Sequence, residues 1–271
     1  MLGCEIMLIK SIEFPTVSDQ NYPYYLPFYG KTILITAPIT ILVGENGTGK
    51  STLLKLLNDV IQLYRIDASD ASKRKSPLKW LNLPKVTFTR TKPKGFFFSA
   101  EDFTTYIRGL EQHRQEAYDA LNEVDREYAN KSAYAKSMAR MPHMRTINDI
   151  DQMYQKDLLS SSHGEAYLDF FISRLRSNEL YLLDEPETPL SIQNQITLLS
   201  VIDEAVSRGN QFIIATHSPI LMSIPGATIL RIQPEGMDEI RYDDIESVQL
   251  LKQFLNHKEQ FFRHLYQKKS E

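Results

Sequence analysis

A glycine-rich octet in the first quarter of the chain carries the residue types that bind phosphate. Residues 44–51 read Gly-Glu-Asn-Gly-Thr-Gly-Lys-Ser and match the spacing G-x-x-x-x-G-K-[ST] in full. Glycines let backbone N–H groups turn towards phosphate oxygens, and a following helix adds the positive end of its dipole. Lys50 would reach the β- and γ-phosphates, Ser51 would bind Mg²⁺, and Thr52 would reach the α-phosphate. The predicted nucleotide-binding residues here are Gly44, Asn46, Gly47, Thr48, Gly49, Lys50, Ser51 and Thr52.

A second segment places two carboxylates at the end of an apolar strand. Residues 179–185 read Glu-Leu-Tyr-Leu-Leu-Asp-Glu. Asp184 would hold Mg²⁺ at the carboxyl edge of the sheet. Glu185 would polarise the attacking water as a general base. An ordinary strand end can show the same pattern. The functional interpretation depends on the presence of the phosphate-binding octet in the same chain.

A third segment, Ile-Ile-Ala-Thr-His-Ser at residues 213–218, ends another apolar strand in polar residues. In a parallel sheet His217 lies on the same edge as Asp184, where its imidazole could hydrogen-bond the γ-phosphate and the attacking water. A lone histidine at a strand end is the structural alternative.

A fourth segment, residues 160–165, reads Ser-Ser-Ser-His-Gly-Glu. Serine and glycine at a helix start form an anion-binding N-terminus. Without the other motifs it would be a serine N-cap with an acidic first turn. With them, Ser162, Gly164 and Glu165 join the predicted nucleotide-binding residues.

These four segments, in this order, resemble the motifs of ABC-type ATPases from about Ile6 to the end of the chain. The resemblance is to the branch without membrane spans, which includes SMC-like and recombination-repair ATPases and small stand-alone bacterial ATPases. Residues 162–165 occupy the place of the ABC signature and depart from the transporter form L-S-G-G-Q.

The resemblance implies an ATP-sandwiched homodimer that hydrolyses ATP to ADP and phosphate, with ATP and Mg²⁺ as cofactors. The phosphate loop of one subunit would face Ser162 and Gly164 of the other. The implied catalytic residues are Lys50, Glu185 and His217, and the implied metal ligands are Ser51, Asp184 and Glu101.

Further assignments follow from the resemblance alone. Pro186–Ser191 occupies the place of the D-loop, which crosses the dimer interface, and Phe96–Glu101 occupies the place of the Gln-loop. Glu101 stands where transporters carry glutamine, and a helix-start carboxylate is its alternative role. The candidates for adenine stacking are Tyr25, Phe28 and Tyr29, and core packing is the alternative for all three.

The elements around these motifs predict an α/β fold: a P-loop, ABC-type mixed sheet flanked by helices. We expect one domain over residues 1–271, with a helical subdomain inserted at residues 102–160 between the Gln-loop place and the signature. The predicted strands are Ile6–Phe14, Lys31–Thr36, Ile39–Val43, Val86–Thr89, Phe96–Phe98, Glu179–Leu183, Gln211–Ala215, Ala227–Ile232 and Glu239–Tyr242. The predicted helices are Gly49–Tyr64, Phe103–Tyr128, a stretch to Leu159 interrupted by Pro142, Gly164–Arg176, Pro189–Ser207 and Asp244–Gln267.

The charges of the chain are unevenly distributed. It has 271 residues, with 31 basic and 34 acidic side chains and a formal charge of −3. Residues 71–100 contain eight bases and no acid. The run Lys73–Lys94, with Trp80 and Phe88 between its bases, could bind a nucleic-acid backbone and stack bases. A solvated loop is the favoured interpretation of this run, and a solvated helix face is the favoured interpretation of the weaker basic stretch from Lys131 to Arg145.

Composition excludes several classes of protein. Apolar residues make up 42% and charged residues 24%, so neither a disordered nor a collagen-like chain is expected. The single cysteine, Cys4, cannot close an intrachain disulfide, which favours a reducing compartment. No apolar run reaches the roughly 18 residues that a membrane span needs. We therefore expect a cytoplasmic protein without membrane insertion.

Three functions remain in competition. The first is a stand-alone ATPase that controls a partner such as a nuclease or another effector, in DNA maintenance or defence against foreign DNA. The second is the nucleotide-binding subunit of a membrane transporter, against which the signature and the missing glutamine count. The third is a nucleotide-gated scaffold with little turnover, ranked last because every catalytic position is filled.

Overall fold

A computed structural model describes residues 7–19, 21–65, 82–153 and 163–267. The mixed α/β fold expected from the sequence is confirmed, and its centre is a seven-stranded sheet flanked by helices. The strands of this sheet are β3 (Ile39–Val43), β4 (Tyr64–Arg65), β6 (Gly95–Ser99), β7 (Leu180–Asp184), β8 (Gln211–Ala215), β9 (Thr228–Gln233) and β10 (Gly236–Glu239). Their order across the sheet is β10-β9-β3-β8-β7-β6-β4, and every neighbouring pair is parallel except β10 with β9.

A second, smaller sheet is antiparallel. Its strands are β1 (Ile9–Glu13), β2 (Thr32–Leu34) and β5 (Lys85–Phe88), in the order β2-β1-β5. The side chain of Gln211, at the start of β8, accepts hydrogen bonds from the backbone N–H groups of Leu8 and Ile9 at 3.0 and 2.8 Å. This buried amide therefore links the two sheets.

Helices cover both faces of the large sheet. They are α1 (Lys50–Ile61), α2 (Ala100–Glu127), α3 (Ala133–Met153), α4 (His163–Ser173), α5 (Ile192–Ser207), α6 (Pro219–Met222), α7 (Glu246–Asn256) and α8 (Lys258–Gln267). Alternation along the strands separates two cores. In β7, Tyr181 and Leu183 face the core shared with α4 and α5, whereas Leu180 and Leu182 face the core shared with α1 and the small sheet. Because all four side chains are buried, both faces of this strand are covered.

Helices α2 and α3 form a hairpin that extends from the end of β6. A small apolar cluster of Ala117, Leu121 and Ile147 holds it together. Ion pairs add to this contact: Asp125 meets Lys136 at 3.2 Å and also Arg140, while Arg114 meets Asp151 at 3.2 Å. The basic stretch on α3 is thus partly neutralised within the hairpin, as expected of a solvated helix face.

Most predicted elements are present, with four corrections. Tyr64 belongs to β4 and not to α1, because Gln62 adopts a left-handed backbone (φ 56°) that ends the helix. Pro142 lies inside α3 and does not interrupt it. The second strand of the late β pair begins at Gly236, and Tyr242 starts a 3₁₀ turn instead. Helix α5 begins after Ser191, whose Oγ accepts the N–H of Asn194 at 3.2 Å.

Within the described ranges, no helix is both long and apolar enough to cross a membrane.

Candidate nucleotide-binding and hydrolysis site

Three of the four predicted motifs lie at one edge of the large sheet because parallel strands end there together. In the register of the ladders, Leu42 lies beside Ala215, Ala215 beside Asp184, and Asp184 beside Ser99. The glycine loop follows β3, Asp184 ends β7, His217 follows β8, and Glu101 follows β6. Carboxyl edges of parallel strands are where α/β proteins bind ligands.

The glycine loop requires glycine at its two ends. Gly49 has φ 100°, and a Cβ there would lie 3.0 Å from Leu26 Cδ2 and from Phe28 Cε1. A Cβ at Gly44, where φ is 149°, would lie 2.3 Å from the carbonyl oxygen of Ile232. Both backbone conformations favour glycine, and both sites lack room for a side chain. The loop thereby delivers its N–H groups to the first turn of α1, where an anion is stabilised.

Lys50 begins α1 and bends back over the loop. Its Nζ donates hydrogen bonds to the carbonyl oxygens of Gly44 at 2.8 Å and Glu45 at 2.9 Å, and the residue is buried. Burial lowers the pKa of this ammonium, while the negative charges of Glu185, Asp184 and Glu187 act in the opposite direction. The amino group of Lys50 is therefore held by two carbonyl oxygens of the glycine loop.

Ser51 and Asp184 form the most direct contact between two predicted motifs. Ser51 Oγ donates a hydrogen bond of 2.8 Å to Asp184 Oδ1. Burial raises the pKa of Asp184, whereas the Ser51 hydrogen bond and the charge of Lys55 lower it. A hydroxyl and a desolvated carboxylate side by side are oxygen ligands of the kind that Mg²⁺ uses beside nucleotide phosphates. This donor set fits Mg²⁺, and a cation would offset the cost of the buried charge.

Glu185 and His217 lie next to that pair. Glu185 has a left-handed backbone (φ 49°), uncommon for a non-glycine residue, and its N–H donates to the carbonyl oxygen of Ala215 at 2.8 Å. His217 Nε2 lies 3.9 Å from Glu185 Oε1, and both side chains are partly exposed. The strained turn thus presents a carboxylate beside an imidazole, in the arrangement that a general base and a phosphate sensor require.

A cavity of about 400 Å³ lies between Ser51, Asp184 and Glu185 on one side and α2 on the other. Glu101 lines it, on the first turn of α2 and exposed to solvent. The full lining is Ser51, Lys55, Ser99, Ala100, Glu101, Thr104, Thr105, Arg108, Asp184, Glu185 and Thr188. Among the described residues, no group of three or more His, Cys, Asp or Glu side chains is arranged to hold a metal ion. Glu101 therefore shares the cavity with Ser51 and Asp184 without completing a carboxylate cluster, and its role as a ligand stays a prediction.

The signature place is only partly within the described residues. Ser162 lies outside them, whereas Gly164 and the exposed Glu165 belong to the first turn of α4. The cavity lining contains described residues from α1, α2 and the ends of β6 and β7, and none from α4. The structure therefore brings the glycine loop, Asp184, Glu185, Glu101 and His217 to one edge, and no described side chain of α4 lines that cavity.

The three candidates for adenine stacking differ in exposure. Phe28 is fully buried beneath Gly49, so stacking on adenine is excluded for this ring. Tyr29 packs edge-on against Phe14, and burial together with neighbouring tyrosines raises its pKa to about 12, which indicates core packing. Tyr25 alone of the three is largely exposed, at 62%.

Sequence reasoning missed several groups around the site. Tyr22 Oη lies 2.7 Å from Thr52 Oγ1, although the pattern suggested only an aromatic loop. Lys55 and Arg108 bring positive charge to the cavity from two helices, and only the three-dimensional packing reveals this. Glu187 Oε1 accepts the backbone N–H of His217 at 2.6 Å. The sequence offered one indication of a role for Glu187, which is its close spacing to the acids Asp184 and Glu185.

Comparison with known families agrees with the motifs. Residues 150–223 match the family model described as "AAA domain, putative AbiEii toxin, Type IV TA system". The match spans Gly164, Asp184, Glu185 and His217. It confirms the resemblance to ABC-type and AAA ATPases. The match covers about a quarter of the chain, and the glycine loop lies outside it.

Several solved structures are similar to this chain. A "nucleotide-free ATP-binding cassette from an ABC transporter" is 12% identical at a TM-score of 0.47, over 90% of this chain and 94% of its own. An "SMC head domain from Thermotoga maritima" is 14% identical at a TM-score of 0.44, over 86% of this chain and 98% of its own. A "putative metal-chelate type ABC transporter" in an inward-facing conformation is 20% identical at a TM-score of 0.44, over 88% of this chain and 85% of its own. No curated protein sequence matches the chain.

Proposed function

We propose that the protein binds ATP with Mg²⁺ and hydrolyses it to ADP and phosphate in an ATP-sandwiched homodimer. The observation that carries this proposal is the Ser51–Asp184 contact of 2.8 Å, with Glu185 and His217 beside it at the mouth of the glycine loop. These groups supply a metal-binding pair, a general base and a hydrogen-bond donor to phosphate within one cluster.

The residues of one subunit divide the chemistry between them. N–H groups of the glycine loop and Lys50 bind the phosphates and orient the γ-phosphoryl group. Ser51 and Asp184 hold Mg²⁺, with Glu101 as a further candidate ligand in the same cavity. A cation held there would neutralise negative charge on the phosphates. Glu185 accepts the proton of the attacking water, and His217 donates to the γ-phosphate.

The second subunit completes the site in this proposal. Because the cavity around Ser51 and Asp184 is lined by no described residue of α4, the Ser162–Glu165 motif would serve the partner's nucleotide. The N-terminal end of α4 then adds donors to the γ-phosphate from the opposite side. ATP would join the two subunits, and hydrolysis would release them. A subunit alone would bind ATP and turn it over poorly.

Turnover as a function of protein concentration tests this proposal. A sandwich predicts that ATP hydrolysed per subunit rises with concentration and then saturates, and that Glu185→Gln abolishes it while ATP binding remains. Glu179→Gln, a partly buried carboxylate at the opposite edge of β7, is the matched control and is expected to keep wild-type turnover. Activity per subunit that is independent of concentration would contradict the sandwich.

We also propose that the basic run binds nucleic acid, and one observation supports this. Arg90, Lys92 and Lys94 are exposed and line a second cavity of about 500 Å³ at the amino edge of the large sheet, opposite the glycine loop. None of these three side chains forms an ion pair with any described residue. Lys73 to Trp80 lie outside the described residues. Unpaired cations in one recess favour a phosphate backbone.

The wider role that we propose is ATP-dependent control of a partner in DNA maintenance or defence. The α2–α3 hairpin, which we propose to be an inserted subdomain over residues 102–160, is the part of the chain available to couple to an effector such as a nuclease. A transporter subunit remains the second candidate, and turnover stimulated by a membrane-embedded partner instead of DNA would favour it.

A further inference from the structure

Helix α5 exposes a face that carries no charge. Residues 188–202 contain no charged side chain, although 24% of the residues in the whole chain are charged. Charges return only in the last turns of the helix, at the exposed Asp203 and Glu204. The exposed side chains of the first three turns, which we call the uncharged face, are Ile192, Gln193, Ile196, Thr197 and Ser200.

Two isoleucines form the apolar part of the uncharged face. Ile192 is 67% exposed and Ile196 is 47% exposed. They lie four residues apart, so their side chains are neighbours on one side of the helix. The core-facing side of α5 packs through Leu198 and Ile202 instead. Adjacent apolar side chains with uncharged polar ones around them have the composition of an interface core, from which charge is depleted.

The uncharged face begins at the same edge of the large sheet as the candidate site. Helix α5 connects the carboxyl end of β7 to the amino end of the parallel strand β8, so its first turn lies at the carboxyl edge. Two backbone turns lead to it. The N–H of Thr188 donates to the carbonyl oxygen of Glu185 at 3.1 Å, and the N–H of Leu190 donates to that of Glu187 at 2.8 Å. The path from Glu185 to Ile192 is therefore short and folded.

Gln195 holds the start of α5 to the segment that follows β8. Its Nε2 donates to the carbonyl oxygen of Leu190 at 3.1 Å, and its Oε1 accepts a hydrogen bond from Ser218 Oγ at 2.6 Å. Ser218 directly follows His217. The uncharged face is thus fixed relative to the chain that carries His217, and a partner that docks there meets a preorganised surface.

The lack of charge favours a second copy of this chain as the partner. In a two-fold contact each surface meets its own copy. A charged surface would then meet like charge, which is costly, whereas an uncharged surface with an apolar centre is complementary to itself. Five side chains are fewer than the roughly 20 to 30 residues a side that a stable interface uses. Other contacts, such as those through bound nucleotide, must therefore supply the rest.

We propose that the uncharged faces of two subunits pair across a two-fold axis, with Ile192 and Ile196 of each subunit against those of the other. The inference rests on the proposed function for its dependence on ATP. It adds to that function a contact outside the four nucleotide motifs. Pairing brings the second subunit to the edge at which Glu185 and His217 lie.

Light scattering with ATP and Mg²⁺ tests the contact in the Glu185→Gln background. Ile196→Glu places like charges opposite each other, so we expect the dissociation constant of the dimer to rise at least about 10-fold. ATP binding to the separate subunit should stay within about 2-fold of the parent. Leu34→Glu is the matched control, because Leu34 is 64% exposed on the small sheet, and it should leave the dimer unchanged. An unchanged dimer in Ile196→Glu would overturn the proposal, since another surface would then join the subunits.

Mixing two variants tests whether the face meets its own copy. Ile196→Lys and Ile196→Glu should each weaken the dimer when present alone. An equal mixture of the two should dimerise at least about 3-fold more tightly than either variant, because opposite charges then face each other. A misfolded variant would not be rescued by mixing. A mixture no tighter than its components would overturn the two-fold pairing.

Cross-linking separates failure of this inference from failure of the proposed function. Ile192→Cys is introduced into a chain whose single cysteine, Cys4, is replaced by serine. A short bis-maleimide should join two subunits through the new thiol at least about 5-fold faster with ATP than without, whereas Leu34→Cys should not be joined.

A Glu185→Gln parent that forms no dimer with ATP would refute the proposed function. Cross-linking of Ile192→Cys without nucleotide would then still decide the face, because the reaction is irreversible and accumulates brief contacts. Cross-linked pairs would support the pairing of the uncharged faces on its own. The absence of cross-linked pairs both with and without ATP would overturn it.

Discussion

The hydroxyl of Ser51 lies 2.8 Å from Asp184 Oδ1, although 133 residues separate the two along the chain. Ser51 belongs to α1, the helix after the glycine loop, and Asp184 is the last residue of β7. Their meeting depends on the order β3-β8-β7, which aligns the carboxyl ends of the three strands. The site that this alignment creates, and the surface opposite it, can each be tested by substitution.

Replacing Asp184 by asparagine should separate stability from function. The asparagine side chain is neutral, and it would stand at a position where burial raises the pKa of the native carboxyl group. Removing a desolvated charge should raise Tm of the nucleotide-free protein by about 2 to 4 °C, on a gain of roughly 1 kcal/mol for a domain of this size. The added stabilisation by ATP with Mg²⁺ should disappear, as thermal unfolding with and without ligand would measure.

The pH dependence of that variant follows from the direction of the shift. A carboxyl group with a raised pKa holds its proton more tightly in the folded protein, so the contribution of Asp184 to stability declines as pH rises above 3.8, the ordinary value, through its folded pKa. The Tm advantage of Asp184→Asn should therefore be small at low pH and grow towards neutrality. The exposed Asp203→Asn is the control and should show no such trend. An advantage independent of pH would contradict the role of burial.

Two glycine-to-alanine changes should have opposite signs. Gly49→Ala forces a Cβ into a backbone at φ 100° and to within 3.0 Å of Leu26 and Phe28, so we expect a loss of roughly 1 to 3 kcal/mol and weaker ATP binding. Gly109→Ala lies within α2, where the new Cβ meets nothing within 4 Å apart from its chain neighbours and the backbone of its own helix, and should stabilise by about 0.5 to 1 kcal/mol. Urea unfolding measures the change in the free energy of unfolding for each variant. A neutral Gly49→Ala would show that the loop tolerates a side chain there.

Charge removal at the amino edge tests the nucleic-acid surface. Replacing Arg90, Lys92 and Lys94 together by alanine should weaken binding of double-stranded DNA. The slope of log affinity against log salt should fall by about 0.9 for each phosphate that the variant no longer neutralises. ATP binding at the opposite edge should be unchanged. The matched control replaces Lys131 and Arg145 on the hairpin. Equal DNA affinity in wild type and the triple variant would remove nucleic acid as the partner of this surface.

The sequence was most informative where apolar strands end in polar motifs. Strands β3 and β8 have the predicted bounds, since runs such as Ile39–Val43 are buried on both faces and tolerate little else. Ser51, Asp184 and His217 could be assigned to one edge because parallel strands share their direction. The end of α1 could not be predicted, since Tyr64 continues the helical spacing while a single left-handed residue, Gln62, stops the helix.

Local patterns also could not reveal groups whose roles depend on packing. Pro142 suggested a break, yet α3 continues through it, held to α2 by Ile147 and by the ion pairs of Asp125. Glu187 is one of several acids after β7, and only the fold shows that it bonds the backbone of His217. This contact joins residues 30 positions apart, beyond the reach of any periodicity.

Light scattering of Glu185→Gln with and without ATP and Mg²⁺ tests whether ATP joins two subunits. We expect a mass near the 31.3 kDa of one chain without nucleotide and about twice that mass with ATP, because the variant binds ATP but cannot release the sandwich by hydrolysis. Adding Gly164→Asp, which places a negative charge at the start of α4, should keep the protein at the lower mass. A variant that binds ATP yet stays at the mass of one chain would contradict the account.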